Sequence, residues 1–350
     1  TRIAIPKEQV LSLHGSTTMG LSPNLSALKS IADAGKFAVV QAVHYPSPNL
    51  SHDGSRTIYY RGDPSTATVT NSGWIGRHSA LFGSDTNALD TVGIGGVSKT
   101  LYAVGAKVSG ISNDNDGDAA GYQFDTDTRF NGDRDNQINA ARLTDQMVSP
   151  DPYTDLVEST SLDALNSADQ VAAATSTYSS TVVYPANDSF AAGLKLIAKL
   201  ATATPSLGTR VFHISLGGFD THANQNTDQM TLHQRLANGL KALYDDLVAH
   251  NIADKAIVMV WSEFGRRVAD NASDGTDHGT ANNILLLGSP IKGGVYGADP
   301  SLTDLSSGNL KMKIDFRDVY TTIIESWLGN TKSEAAQVLG GSFNNLGFVA

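Results

Sequence analysis

Apolar residues recur along the chain in two alternating patterns, short continuous runs and helical repeats. The segment 25–36 (NLSALKSIADAG) carries apolar residues at helical spacing and ends on a glycine, which predicts a helix. The run that follows, FAVVQAV, predicts a buried strand that stops at His44 and Pro46. Further strands are predicted for RVFHISL, AIVMVW and NILLLG. Further helices are predicted at 161–175, 188–203 and 228–250, and for DFRDVYTTIIESWLG up to Gly329.

Short apolar strands separated by helices are typical of a parallel sheet covered by helices on both faces. We therefore expect an α/β fold, a three-layer sandwich with a largely parallel central sheet, formed as a single domain by residues 1–350. A stretch at about 105–160 is rich in Asp, Asn, Gly and Ser, and we expect long loops there. The pattern shows no internal repeat and no linker.

Composition and charge narrow the class of protein. The 350 residues include 40% hydrophobic and 17% charged positions, with a formal net charge of -10, and no basic run is present. Nucleic acid and anionic membranes need concentrated Lys and Arg, so neither is expected as a partner. No apolar stretch reaches the roughly 20 residues of a membrane helix. The absence of cysteine excludes disulfides, thiolate metal ligands and a cysteine nucleophile, and it fits an exported protein.

The start of the sequence, TRIAIPKEQV, has no signal-peptide pattern. Because it begins on Thr, we expect a processed or trimmed amino terminus.

Polar side chains follow the predicted strands where the strands end. In open α/β sheets, binding sites form outside the carboxyl ends of the strands, so these side chains are expected to share one site. They are His44 after the first strand, Asp220 and His222 after RVFHISL, Glu263 after AIVMVW, and Asp277 and His278 in the loop leading on from Glu263.

A metal ion is the chemistry that this set of side chains favours. An extended Asp-x-His segment projects Asp220 and His222 to the same side, giving an oxygen and a nitrogen ligand. With Glu263 and His278 they form a two-histidine, two-carboxylate set suited to Zn²⁺, Mn²⁺ or a similar divalent ion. Asp277 is either a further ligand or the hydrogen-bond partner that orients His278. Each residue alone is equally well explained as the cap of a loop or helix.

A series of motifs resembles a known family. The motifs IAIP, VHYPSPNLSH, YYRG, SGWIGRH, GGFDTHANQ, SEFGRR, GTDHGTANN, GGVYG and DFRDVY occur in this order and cover most of the chain. Together they resemble the family of domain of unknown function 1501 (DUF1501). The resemblance implies a bacterial, exported protein, either periplasmic, cell-surface or extracellular. It also implies a relationship to the alkaline phosphatase and sulfatase superfamily, whose enzymes use divalent metals at strand ends.

The resemblance also implies roles for particular residues. Asp220, His222 and His278 match one metal site of that superfamily, and Glu263 takes the place of an Asp in the second site. Ser51 resembles the nucleophile at a helix start. Two features depart from the pattern: Phe264 stands where the second site has a histidine, and the amino-terminal strand that supplies the first Asp is missing from this sequence.

These assignments imply a mechanism and leave alternatives open. Ser51 would attack phosphorus or sulfur, and Arg266 would hold the oxyanion through its guanidinium fork. Ser51 is equally explained as a helix N-cap. His52 and His44 would orient a ligand or substrate, or would be packed polar residues near a turn. Arg267 would pair with surface carboxylates.

The acidic loops offer a second type of metal site. The segments NDNDGD and DTDTRFNGDRDN carry many oxygen ligands of the kind that Ca²⁺ prefers, but neither has the spacing of an EF-hand. Solvated turns explain them as well.

Two functions fit these sequence features. The first is a secreted metal-dependent hydrolase of phosphate or sulfate esters, acting on a small anionic ester or a polyanionic glycan. The second is a non-catalytic extracellular surface or assembly protein on the same fold, for which self-assembly is expected.

Overall fold

A computed structural model describes residues 3–63, 71–119, 133–145, 147 and 151–350. The described residues form a mixed α/β structure with several sheets, as the alternation of apolar patterns predicts. Its strands are β1 (Leu11–Ser12), β2 (Gly20–Leu21), β3 (Phe37–His44), β4 (Thr91–Ile94), β5 (Val108–Ile111), β6 (Val211–His213), β7 (Val258–Val260), β8 (Gly265–Asp270), β9 (Thr276–Gly279), β10 (Asn282–Leu287), β11 (Gly294–Tyr296) and β12 (Ile314–Asp315). Its helices are α1 (Lys29–Asp33), α2 (His52–Arg61), α3 (Trp74–Phe82), α4 (Asp133–Asp145), α5 (Pro152–Thr175), α6 (Ser189–Thr202), α7 (Thr204–Leu207), α8 (Gln225–Ala249), α9 (Phe316–Ser326) and α10 (Lys332–Leu339).

The largest sheet is mixed. Its strands lie in the order β11-β3-β10-β7, and β12 continues beside β3. The strands β11 and β12 run parallel to β3, whereas β10 runs antiparallel to both of its neighbours. The chain between β7 and β10 forms the β8–β9 hairpin and no crossover helix, so NILLLG returns beside β7 in the opposite direction.

A second sheet is fully parallel. Its three strands lie in the order β5-β4-β6, and β4 pairs in parallel with both neighbours. The described strands therefore form four separate sheets: the mixed one, the parallel one and the two-stranded antiparallel pairs β1–β2 and β8–β9.

Strand β3 separates two hydrophobic cores. All eight of its residues are buried, and side chains alternate between faces with period two. Phe37 and Val39 belong to a core with α6 and α8, while Ala38 and Val40 belong to a core with α9 and α10. Burial on both faces explains why FAVVQAV is a continuous apolar run.

The expectation of long loops at 105–160 is wrong for part of that stretch. It contains β5, α4 and the first turns of α5. Asp151 caps α5 by accepting a hydrogen bond from Thr154 N at 3.0 Å, and Pro152 occupies the first helical turn. These are helix-start signals. The α4 and α5 sequences are weakly amphipathic, and an Arg142–Asp169 ion pair joins the two helices.

No helix among the described residues is long and apolar enough to cross a membrane.

Candidate metal centre

The candidate residues come from four separate parts of the chain. His52 is the first residue of α2, and Glu263 follows β7. The loop between β6 and α8 carries Asp220 and His222. The β8–β9 hairpin carries Arg266 and His278, which are paired residues on its two strands. All of these side chains lie within one connected set of contacts around Asp220.

Short-range hydrogen bonds fix the Asp220–His222 loop. The backbone N–H of Thr221 donates to Phe219 O at 2.9 Å, and the N–H of His222 lies 3.2 Å from Asp220 O. Gln229, on α8, donates to the Thr221 hydroxyl at 3.0 Å, and Asn271 donates to His222 O at 2.9 Å. The loop is therefore held from a helix on one side and from the hairpin on the other.

Three imidazole rings direct the same nitrogen toward one carboxylate. Asp220 Oδ1 lies 2.9 Å from His222 Nε2 and 3.0 Å from His278 Nε2. Asp220 Oδ2 lies 3.1 Å from His52 Nε2. The two Nε2 atoms of His222 and His278 are themselves 3.0 Å apart. Four potential ligand groups thus converge on a small volume.

An acceptor holds the second nitrogen of two of the rings, those of His52 and His278, and a longer ion-pair contact lies beside that of His222. His52 Nδ1 lies 2.8 Å from Glu263 Oε1, and His278 Nδ1 lies 2.7 Å from the carbonyl oxygen of Leu50. His222 Nδ1 lies 3.5 Å from Asp277 Oδ1. Metal-binding histidines characteristically donate their second N–H to a carboxylate or carbonyl, which fixes the tautomer and the ring orientation.

These distances fit a divalent metal ion of the zinc type. In a tetrahedral site with Zn–N bonds of about 2.0–2.1 Å, neighbouring ligand atoms lie about 3.3 Å apart. The contacts among Asp220, His222 and His278 span 2.9–3.0 Å, close to that spacing. The ligand atoms of His52, Asp220 and His278 also lie within 4.8 Å of one another. One carboxylate and three imidazoles are a donor set that Zn²⁺ accepts.

The centre strongly favours ionised Asp220. Partial burial opposes ionisation, but hydrogen bonds from His278 and His52, with the charges of His222 and Arg266, lower the pKa of Asp220 to about 2. The hydrogen bond to Glu263 raises the pKa of His52, partly offset by burial. The carboxylate at the middle of the cluster is therefore negative throughout the physiological range.

Arg266 places a cation beside this carboxylate. Its Nη1 lies 3.0 Å from Asp220 Oδ1, without hydrogen-bonding geometry. All three guanidinium nitrogens are buried and lack a hydrogen-bond partner within the described part of the chain. A buried donor without a hydrogen-bond partner costs free energy. The N–H groups of this guanidinium are therefore available to donate hydrogen bonds to an anionic ligand.

Phe264 forms the apolar wall of the centre. Its ring lies 4.2 Å from the His278 ring and 4.9 Å from the His52 ring, centroid to centroid. It occupies the position where the resemblance leads one to expect a histidine. A phenyl ring offers no oxygen or nitrogen ligand, so Phe264 contributes packing to the cluster.

Ser51 caps helix α2. Its hydroxyl accepts a hydrogen bond from Gly54 N at 3.2 Å, and its own N–H donates to Asn49 Oδ1 at 2.9 Å. Its chain neighbours Leu50 and His52 both contact the centre. Ser51 therefore lies at the amino end of α2, between two residues of the centre.

Other candidates lie apart from the cluster. His44 is fully buried at the end of β3 against Tyr45 and Tyr59, and neither ring nitrogen has a hydrogen-bond partner among the described residues. Arg267 is exposed on β8.

The first acidic segment forms a turn. Asp114 Oδ1 accepts hydrogen bonds from the backbone N–H groups of Asp116 and Asp118, at 2.9 Å and 2.8 Å. The second acidic segment, at 125–136, lies outside the described residues up to residue 132.

Sequence reasoning misses two contributors to the centre. The carbonyl of Leu50 has no sequence signal, because every residue carries a carbonyl group. Phe264 enters the sequence analysis only as a missing ligand, whereas the structure shows it packing on two rings of the cluster. An aromatic residue directly after a strand-end carboxylate is the one signal that points to it.

Comparison with known proteins gives one match. The family model described as "Protein of unknown function (DUF1501)" matches residues 40–347. No curated protein and no solved structure matches the chain. The match covers most of the sequence and includes every residue of the cluster. The chain therefore belongs to the DUF1501 family.

Proposed function

We propose that this protein is an exported, metal-dependent hydrolase of phosphate or sulfate esters. The observation that carries the proposal is the convergence of three Nε2 atoms on Asp220, with the Nδ1 atoms of His52 and His278 held by acceptors. We assign His52, Asp220, His222 and His278 as ligands of a Zn²⁺ or Mn²⁺ ion. Glu263 and Asp277 then orient His52 and His222.

The cluster resembles a metal site of the alkaline phosphatase and sulfatase superfamily, to which we relate this chain. Asp220, His222 and His278 supply the matching set. Phe264 packs on the rings in place of a further ligand, so we propose one principal metal ion. A divalent ion at this site would supply Lewis acidity toward the ester oxygens.

Arg266 binds the anionic group of the substrate. Its guanidinium has unused donors, and a planar fork matches two oxygens of a tetrahedral phosphate or sulfate. The side chains of Asp220 and His222 are 42% and 45% exposed, so a small ester or the sulfate group of a polyanionic glycan can approach them.

Ser51 is the proposed nucleophile. Its hydroxyl lies at the amino end of α2, where backbone N–H groups favour developing negative charge. The serine oxygen would bond to phosphorus or sulfur while the bond to the leaving alcohol breaks. The proton released by the Ser51 hydroxyl is taken up by the departing oxygen, which leaves as the alcohol. Water then hydrolyses the serine ester, which releases phosphate or sulfate and restores the Ser51 hydroxyl.

Metal content and hydrolysis, measured together, test the proposal. Purified protein is expected to hold about one Zn or Mn per chain by elemental analysis, and to hydrolyse p-nitrophenyl phosphate or p-nitrophenyl sulfate. Asp220→Asn should lose the metal and the activity. Arg266→Gln should keep the metal and raise KM at least tenfold. His14→Gln, at an exposed histidine, is the matched control and should change neither.

Wild-type protein without stoichiometric metal, or with hydrolysis unchanged by Asp220→Asn, would overturn the proposal. The non-catalytic surface protein would then be the better hypothesis, and filaments or sheets should be sought by electron microscopy.

A further inference from the structure

An irregular segment with few backbone donors connects β3 to α2. It reads YPSPNLS over residues 45–51, and its two prolines lack a backbone N–H. Ser47 has a φ of 57°, a conformation that residues other than glycine rarely adopt. Within the described structure, residues 45–51 belong to no helix or strand. Side chains are therefore important as hydrogen-bond partners of this segment.

The hydroxyl of Tyr45 holds the segment in place. It accepts a hydrogen bond from the backbone N–H of Asn49 at 3.0 Å, and it lies 3.0 Å from the carbonyl oxygen of the same residue. It also lies 3.0 Å from the hydroxyl oxygen of Ser55, near the start of α2. Tyr45 is 1% exposed and Ser55 is 0% exposed, so these hydrogen bonds are shielded from water.

Ser55 links the Tyr45 hydroxyl to Glu263. The Ser55 hydroxyl donates to the backbone carbonyl oxygen of Glu263, because a carbonyl oxygen can only accept. The Ser55 oxygen can then accept the proton of the Tyr45 hydroxyl. The side chain of Glu263 is held as well, since its Oε1 lies 2.8 Å from His52 Nδ1. Glu263 is therefore joined to the beginning of α2 at two points, through its backbone and through its side chain.

The same segment contacts the candidate metal centre directly. The carbonyl oxygen of Leu50 lies 2.7 Å from His278 Nδ1. Ser51 ends the segment and is followed by His52. A shift of residues 49–52 would therefore redirect two imidazole rings of the centre together and would displace the Ser51 hydroxyl.

Packing alone does not account for the hydroxyl of Tyr45. The ring of Tyr45 packs against the rings of His44, Tyr59 and Phe316, with centroids 4.5–6.1 Å apart. A phenylalanine would make the same ring contacts without bringing a polar group into the core. The contribution of the hydroxyl is therefore its set of hydrogen bonds to the segment and to α2.

We propose that the Tyr45 hydroxyl is a positioning group of the centre. Acting through Ser55, it sets residues 49–52 against Glu263 and so fixes the directions of the two imidazole rings that this segment carries or contacts. Loss of a hydrogen bond behind a metal ligand typically weakens metal affinity by about 10- to 100-fold. The inference rests on the proposed function in treating these rings as metal ligands.

Zinc affinity tests the inference with a matched control. Tyr45→Phe removes the hydroxyl and keeps the ring. Tyr320→Phe removes another fully buried tyrosine hydroxyl, which donates to the carbonyl oxygen of Tyr59 at 3.1 Å, toward the end of α2. In competition with a chromophoric chelator, Tyr45→Phe should bind Zn²⁺ about 10- to 100-fold more weakly than the wild type, and Tyr320→Phe should differ by less than about twofold. Equal affinity of Tyr45→Phe and the wild type, or equal weakening in both variants, would overturn the inference.

A double variant tests the contact through Ser55. Ser55→Ala removes the hydroxyl that joins Tyr45 to the backbone of Glu263. Because both hydroxyls belong to one network, the double variant Tyr45→Phe/Ser55→Ala should bind Zn²⁺ no more weakly than the weaker of the two single variants. Fully additive losses of affinity would contradict the proposed action through Ser55.

Hydrogen exchange of the metal-free chain separates this inference from the proposed function. With a chelator present, the Asn49 amide should exchange at least roughly tenfold faster in Tyr45→Phe than in the wild type, because its acceptor is lost. Exchange of this amide should be unchanged in Tyr320→Phe. If the wild type binds no Zn²⁺ and this difference in exchange remains, the proposed function fails and the positioning of residues 49–52 stands. Equal exchange in all three proteins would show that the hydroxyl does not position the segment.

Discussion

Two histidines of the centre are held by acceptors on their second nitrogen. Glu263 provides a carboxylate oxygen for His52, and Leu50 provides a backbone carbonyl for His278, whereas Asp277 lies at the longer distance of 3.5 Å from His222. A hydrogen bond to one ring nitrogen fixes the orientation of the ring and so the direction of its other nitrogen. At the scale of single residues, the acceptors and not only the ligands define the site.

Ser51 caps α2 and is the proposed nucleophile, and substitution can separate these two roles. Ser51→Ala removes both the cap and the hydroxyl, and we expect hydrolysis to fall by about a thousandfold or more. It should also lower the free energy of unfolding by about 1 kcal/mol. Ser51→Asn keeps a capping side chain, so stability should be preserved while hydrolysis is lost. Activity assays and urea denaturation of both variants test this expectation. If Ser51→Asn hydrolyses the substrate as the wild type does, Ser51 is a helix cap and not the nucleophile.

His44 predicts a pH dependence of stability. Burial lowers the pKa of His44 to about 4, although Asp315 opposes this, against 6.5 for an ordinary histidine. The unfolded chain therefore takes up a proton at a higher pH than the folded chain. The contribution of His44 to the free energy of unfolding is fully present above pH 6.5. It decreases as the pH drops from 6.5 toward 4, by at most about 3 kcal/mol in total, and changes no further below pH 4.

The variant His44→Leu isolates this contribution. Tyr45 and Tyr59 pack against the ring, and no hydrogen bond to it is lost within the described structure. The fall in unfolding free energy between pH 6.5 and 4 should become smaller than in the wild type. Part of the pH dependence of the free energy of unfolding should remain in this variant because of His213, since burial lowers the pKa of His213 to about 4 as well. Identical pH profiles for the two proteins would contradict the assignment.

Among the secondary-structure elements, α8 has a polar anchor near its end. Asp246 is completely buried and accepts hydrogen bonds from Ser180 at 2.6 Å and from Tyr184 at 2.9 Å. The Tyr178 hydroxyl also donates to it, and His250 Nδ1 lies 3.1 Å away. Through these hydrogen bonds the carboxylate connects the irregular segment between α5 and α6 to α8.

Removal of this carboxylate should destabilise the protein. Asp246→Ala leaves the buried hydroxyl of Tyr184 and the partly buried hydroxyls of Tyr178 and Ser180 without this acceptor, and we expect a loss of about 3 kcal/mol in the free energy of unfolding. Asp245→Ala is the control, because that side chain is 42% exposed and pairs with Lys241 on the helix surface. Asp245→Ala should lower the free energy of unfolding by about 0.5 kcal/mol or less. Equal losses in urea denaturation would refute the anchoring role.

At the scale of the whole molecule, the centre ties distant segments together. The proposed ligands come from α2, from the loop before α8 and from the β8–β9 hairpin. A metal ion that binds only the folded chain therefore stabilises all of these contacts at once. Free Zn²⁺ at 100 times its Kd should add about 2.7 kcal/mol, which raises Tm by several degrees.

Calorimetry with and without a chelator measures this effect. The chelated wild type should melt at a lower temperature than the loaded protein. Asp220→Asn should melt at the same temperature under both conditions, because its central ligand is lost. A chelator that changes neither protein would count against the metal centre.

The sequence predicts most secondary-structure elements because their signals are local. Phe37–His44 is a strand and Gln225–Ala249 is a helix, as the apolar runs and helical spacing predict. The antiparallel direction of β10 is not predictable, since it depends on the path of the chain through the β8–β9 hairpin. Helix α4 and the first turns of α5 escape prediction because their apolar faces are weak.

For the candidate site, the sequence determined the chemical groups, and only the tertiary structure decided their arrangement. Strand-end position alone selected Asp220 and Glu263, because a residue that follows an apolar run lies at the sheet edge. The placement of His52 between Asp220 and Glu263 depends on contacts across more than a hundred residues. The same holds for β6 and β7, which among the described residues lie at the edges of their sheets, because the pairing of a strand edge is a property of its neighbours in space and not of its own residues.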